Sequence, residues 1–80
     1  MNCYTAVKTR LLWLMDEKNM SVYKSAMCSG VSPFTVKSIL YGKSQKPRIV
    51  TLKMLCDGMD VTLSGFFDAP IFADLEQEIK

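Results

Sequence analysis

The residues with the most chemical capacity in this chain are hydrogen-bond donors, and few of them can make or break a covalent bond. Lys43, Lys46 and Arg48 lie close together in one polar, basic stretch that begins a few residues after Lys37. Ammonium and guanidinium donors at that density suit the capture of an anionic surface. The same side chains would also serve as ordinary solvated helix faces, and their types alone leave both readings open. General acid–base chemistry lacks its usual carriers. There is no His, and the acids gather in the last third of the chain without a recognisable pair. No Gly-rich phosphate cradle is present either. Cys3, Cys28 and Cys56 are odd in number, far apart and without a C-x-x-C spacing, which argues against a metal centre or a disulfide framework. Cys28 and Cys56 fall at apolar helical positions, where a reduced Cys packs as a small hydrophobe. An enzyme is not expected, and no cofactor is implied.

The distribution of charge says more than its total. Residues 1–53 carry nine Lys/Arg against Asp16 and Glu17, a net of +7, and residues 54–80 carry six acids against Lys80, a net of −5; together they make the overall +2. One side of the molecule is therefore suited to a polyanion. At 80 residues the chain is a single domain, and its 49% apolar content is ample for a packed core. Its longest apolar run, Leu11 to Met15, falls far short of the roughly 20 residues that cross a bilayer, and no cleavage site follows it. A soluble, cytoplasmic protein is expected, with no membrane partner and no sensor domain, so that regulation would come from a partner, abundance or proteolysis.

Short helices must position these donors. Tyr4, Val7, Leu11, Leu14 and Met15 recur at helical spacing and predict a first helix over about residues 4–18, closed by Asn19. Ser21 is placed to cap a second helix over residues 22–28, with Ala26 facing inward and Gly30 breaking the chain. Ser32 followed by Pro33 opens a third helix that runs to about Tyr41, where Gly42 stops it. Pro47 keeps the basic loop 42–48 from continuing as helix. Thr51 is expected to cap a fourth helix carrying Leu52, Leu55, Cys56 and Met59, and Thr62 a short fifth one carrying Leu63, Phe66 and Phe67. After Pro70, the spacing of Ile71, Phe72, Leu75 and Ile79 predicts an amphipathic tail helix. No strand pattern competes, so the expected fold is all-α.

Two helices joined by a tight Gly-containing turn make a helix-turn-helix, and the register around it is specific. Leu11-x-x-Leu14, Met20-Ser21, Ala26, Gly30-Val31-Ser32, Thr35-Val36, Ile39, Gly42-Lys43, Pro47-Arg48, Thr51-Leu52, Leu55-Cys56 and Val61-Thr62-Leu63 occur without insertion or deletion. This pattern resembles the XRE family of phage repressor and Cro-like DNA-binding domains. The resemblance covers about Leu11 to Phe67 and implies a five-helix, lambda-repressor-like domain; with the tail read from its spacing, the expected division is residues 1–68 for the domain and 69–80 for the tail. The resemblance also implies a transcriptional regulator of the repressor type that binds double-stranded DNA sequence-specifically through the major groove. Pro33, Phe34, Lys37 and Ser38 would then read bases. Ser32, Thr35 and Tyr41 would meet phosphates, Lys43, Lys46 and Arg48 would track the backbone, and the helix starts near Ser21 and Thr51 would offer free N–H groups. A competing class on the same fold is a protein-interaction module such as an antitoxin or a bridging factor.

Some positions depart from the family's habit. Val22 and Phe34 stand where relatives often carry a polar residue. Phe34 can pack on a thymine methyl, or fold back as core. Met15 and Leu40 replace a frequent ion pair with two apolar side chains, and Ser25 stands where Leu is usual. Leu12 and Trp13 lie off the first helix's apolar stripe, so they form an interface or are covered by the tail. A homodimer is expected, through Trp13 and Leu12 or through Ile71, Phe72, Leu75 and Ile79 of the tail.

Overall fold

The computed structural model describes residues 1–79, which contain five α-helices and no strand. α1 (Cys3–Glu17) is capped by Asn2, whose side-chain oxygen accepts the Thr5 N–H at 2.8 Å. It buries Ala6, Val7, Leu11, Leu14 and Met15, and Asn19 takes the left-handed φ of 54° just beyond its end. α2 (Val22–Ser29) begins at Ser21, whose hydroxyl accepts the Lys24 N–H at 3.1 Å. It ends at Gly30 with φ 73°, the left-handed cap that a residue without a Cβ adopts at least cost. α3 (Pro33–Leu40) is capped by Ser32, which accepts the Thr35 N–H at 3.2 Å. α5 (Leu63–Phe67) follows Thr62, which accepts the Gly65 N–H at 2.9 Å. Asn19, Ser21, Gly30, Ser32 and Thr62 act as the sequence predicts, and the Asn2 cap is not among the expected signals.

α4 (Ile49–Gly58) corrects one expectation. Its N-cap is Arg48, which makes no side-chain cap bond, and Thr51 is the third helical residue. The Leu52 N–H already bonds to the Arg48 carbonyl at 3.1 Å. Because α4 already starts at Ile49, Thr51 lies inside the helix and not at the cap position where its hydroxyl could accept a free N–H.

One core unites the helices: Val7, Leu11, Leu14 and Met15 meet Ala26, Val31, Val36, Ile39, Leu40, Leu52, Leu55, Cys56, Met59 and Phe66. Met15 and Leu40 are both buried in it, so packing occupies the place of the family's ion pair. Ser25 is also buried, and its hydroxyl is satisfied locally by the Val22 carbonyl at 3.0 Å. Cys56 packs in the core as expected, and burial pushes its thiol pKa up. Cys28 does not: it is exposed, because it lies roughly 200° around α2 from the buried Ala26. α2 and α4 approach closely at Gly58, where an added Cβ would lie 2.9 Å from both the Cβ and the backbone N of Ser29.

The tail is the second large correction. It forms only a single 3₁₀ turn, Pro70–Phe72, and no α-helix follows it in residues 73–79. Phe72 packs on Phe66 and Phe67, with ring centroids 6.0 and 4.9 Å apart. Beyond it the chain spends its polar groups on the start of α1. The Glu76 N–H donates to the Met1 carbonyl at 3.1 Å, the Glu76 carboxylate pairs with the Met1 amine at 3.1 Å, and the Glu78 carboxylate accepts the Cys3 N–H at 3.2 Å. A helix this short is marginal by itself, and these long-range bonds replace the ones it would make internally. Ile71, Phe72 and Leu75 are partly buried, Ile79 is exposed, and no continuous apolar stripe remains. Nor does the tail cover Leu12 and Trp13, which stay 47% and 49% exposed.

Candidate nucleic-acid interface

α3 is buried along Val36, Ile39 and Leu40 and presents its other face to solvent. Ser32, Pro33, Phe34 and Tyr41 are exposed, while Lys37 and Ser38 are half-buried on the same side. Phe34 and Tyr41 are each 71% exposed, so the Phe34 ring is not core. With Lys37, Ser38 and Lys43 they line a shallow depression of about 170 Å³. This face can offer an apolar ring, two hydroxyls and two cations to a partner that enters it.

The first turn of the following loop is tied to α3, since the Ser44 N–H donates to the Ser38 carbonyl at 2.9 Å. A second cleft, of about 280 Å³, lies between α3, the loop and α4. Thr35, Lys46, Arg48 and Thr51 converge on it, bringing together four of the residues expected to meet phosphate. The amides of Ile49, Val50 and Thr51 precede the first intrahelical bond of α4 and so carry the positive end of its dipole. Two cations, two hydroxyls and a helix start are what a phosphate oxygen requires. Among the described residues no acid pairs with Lys43, Lys46 or Arg48. Ser32 and Thr35 also share a hydrogen bond at 2.9 Å, which orients both hydroxyls at the start of α3. Ser21 stands apart from both depressions, at the start of α2.

Three positioning residues escaped the sequence reading. The Arg10 guanidinium donates to the Phe66 and Gly65 carbonyls at 2.8 and 3.0 Å, placing a cation on the C-terminal carbonyls of α5. The Tyr4 hydroxyl donates to the Ile39 carbonyl near the end of α3. Tyr23, from α2, accepts a hydrogen bond from the Lys37 ammonium at 3.0 Å. Lys37 thereby lowers the pKa of the Tyr23 phenol below its ordinary value, by the hydrogen bond first and its charge second, and its own pKa rises. These pairs join residues far apart in the chain, so no short spacing announces them.

The fold and this face define a helix-turn-helix DNA-binding domain. The family profile of the Cro/C1-type HTH DNA-binding domain matches residues 10–70, and the chain belongs to that family, with DNA as its partner. No individual curated protein and no solved structure matches the chain. Such domains are typically non-enzymatic. Among the described residues no group of three or more His, Cys, Asp or Glu could hold a metal, and no helix is long and apolar enough to cross a membrane.

Proposed function

We propose that the protein is a cytoplasmic transcriptional regulator of the repressor type that binds double-stranded DNA sequence-specifically, with α3 in the major groove. The observation that carries this reading is the solvent-facing set Phe34, Lys37, Ser38 and Tyr41 on α3, beside the cleft formed by Thr35, Lys46, Arg48 and Thr51. In this arrangement Pro33, Phe34, Lys37 and Ser38 face base edges. Ser21, Ser32, Thr35, Tyr41, Lys43, Lys46, Arg48 and Thr51 serve the phosphates on either side. Phe34 supplies apolar contact to a thymine methyl, and the cations supply affinity that depends on salt.

Residues 1–68 form the reading unit and residues 69–80 are an appended segment, of which Phe72, Glu76 and Glu78 brace the unit. The regulator acts as a homodimer on two half-sites about one helical turn apart. Leu12 and Trp13, adjacent on α1 and exposed, supply the apolar contact between subunits. The test is fluorescence anisotropy on labelled mixed-sequence and selected duplexes at rising salt. Binding that weakens steeply with salt and favours the selected duplex supports the reading. Absence of salt-dependent binding overturns it in favour of a protein-interaction module.

A further inference from the structure

Tyr23 and Lys37 come from different helices and meet in solvent. Besides the hydrogen bond, the Lys37 ammonium lies 4.9 Å from the centroid of the Tyr23 ring, within cation–π range. A surface lysine ordinarily samples many rotamers with its head in water. Here a neutral aromatic side chain fixes that head. The choice of a phenol matters, because a carboxylate in its place would cancel the positive charge as it held it. Tyr23 occupies one of the three ammonium donors and leaves the charge and the other two available. Acting as acceptor, its hydroxyl also keeps its own hydrogen free to donate. Lys37 also lines the depression on the exposed face of α3 together with Phe34 and Ser38, so the side chain that Tyr23 holds borders the residues proposed to face bases.

We propose that Tyr23 is a specificity-determining positioning residue, which holds the Lys37 ammonium so that its remaining donors meet the O6 and N7 acceptors of a guanine in the major groove. This rests on α3 being the reading helix. Guanine is the base that presents two acceptors on its major-groove edge; adenine would set its N6 amino group against a side chain that has only donors. Because the charge belongs to Lys37, Tyr23 governs which base is preferred and leaves general affinity for DNA to the cation itself.

The experiment uses the full chain. Bound sequences are selected from a random DNA pool, and affinities for the selected duplex and a scrambled one are measured by anisotropy at fixed salt. The variants are Lys37→Met, Tyr23→Leu, Tyr23→Phe and the double change Tyr23→Leu with Lys37→Met. The wild-type motif is expected to contain a guanine whose preference falls roughly tenfold in Lys37→Met. Tyr23→Leu should lose it to the same extent, the double variant no further, and Tyr23→Phe part of it. Binding to the scrambled duplex should fall in Lys37→Met and hold in Tyr23→Leu. Without DNA, Lys37→Met should move the Tyr23 phenol titration up toward its ordinary value of 10.0. A guanine preference that survives Tyr23→Leu, additive losses in the double variant, or a phenol titration unmoved by Lys37→Met overturns the proposal alone. A wild-type protein without salt-dependent DNA binding overturns the reading of α3 and this proposal with it.

Discussion

The Tyr4 hydroxyl bonds to the Ile39 backbone carbonyl, joining the first turn of α1 to the last turn of α3 across 35 positions of sequence. The carbonyls at a helix end have no intrahelical donor, and this one is supplied from another helix. α1 thereby helps fix the orientation of α3, the helix proposed to read DNA, and the segment 76–78 in turn fixes the start of α1.

Replacing Tyr4 by Phe keeps the ring and removes that donor. The expected cost is about 0.5–1.5 kcal/mol, the usual net value of one hydrogen bond, measured by urea unfolding. Amide hydrogen exchange should quicken at Tyr41, the C-cap of α3, more than at Leu55 in the middle of α4. Equal acceleration at both positions would mean that Tyr4 serves the core as a whole rather than the end of α3.

Gly58 is predicted to be intolerant of any side chain. An Ala methyl would meet Ser29 backbone and Cβ atoms at 2.9 Å, so α2 and α4 would have to part. Gly58→Ala should destabilise by about 1–3 kcal/mol, the range for overpacking, even though Ala is the better helix former. A thermal midpoint equal to or above that of the wild type would show that α2 yields without cost.

Lys43 and Lys46 are predicted to supply affinity without choice of sequence. Each change to Ala should weaken binding to all duplexes about equally and lower the slope of log K against log salt by about one unit. The double change should lower it by about two units. An unaltered slope in the double variant would place the loop away from phosphate.

How far the sequence disclosed all this depended on the distance over which each signal acts. Ser21, Ser32 and Thr62 cap their helices, and Gly30 breaks the chain, because each meets a partner or a dihedral demand within a few residues. Thr51 failed as a cap although it has the right chemistry, since α4 begins at Ile49, two residues before it. The tail failed for a longer-range reason: its apolar spacing is helical, but bonds from Glu76 and Glu78 to Met1 and Cys3 hold it otherwise. Cys28 failed because α2 buries so narrow a stripe, Ser25 and Ala26. On the candidate site, the motif leaves Phe34 either exposed or folded back as core, and its exposure in the fold decides for the surface. The anchoring of Lys37 by Tyr23 depends on how α2 and α3 cross, which no local pattern encodes.

Selection of bound sequences from a random DNA pool, with wild type and Phe34→Ala in parallel, tests most directly the claim that α3 reads the major groove. Phe34 is the largest apolar side chain on that face and stands clear of the core. Its removal should leave the fold and the salt dependence unaltered while relaxing a thymine preference at one position by about 1 kcal/mol, roughly fivefold. The wild-type protein should enrich a two-fold related motif, and the variant the same motif with that position degenerate. No enrichment by the wild type, or an identical motif from a folded Phe34→Ala protein, would contradict the account.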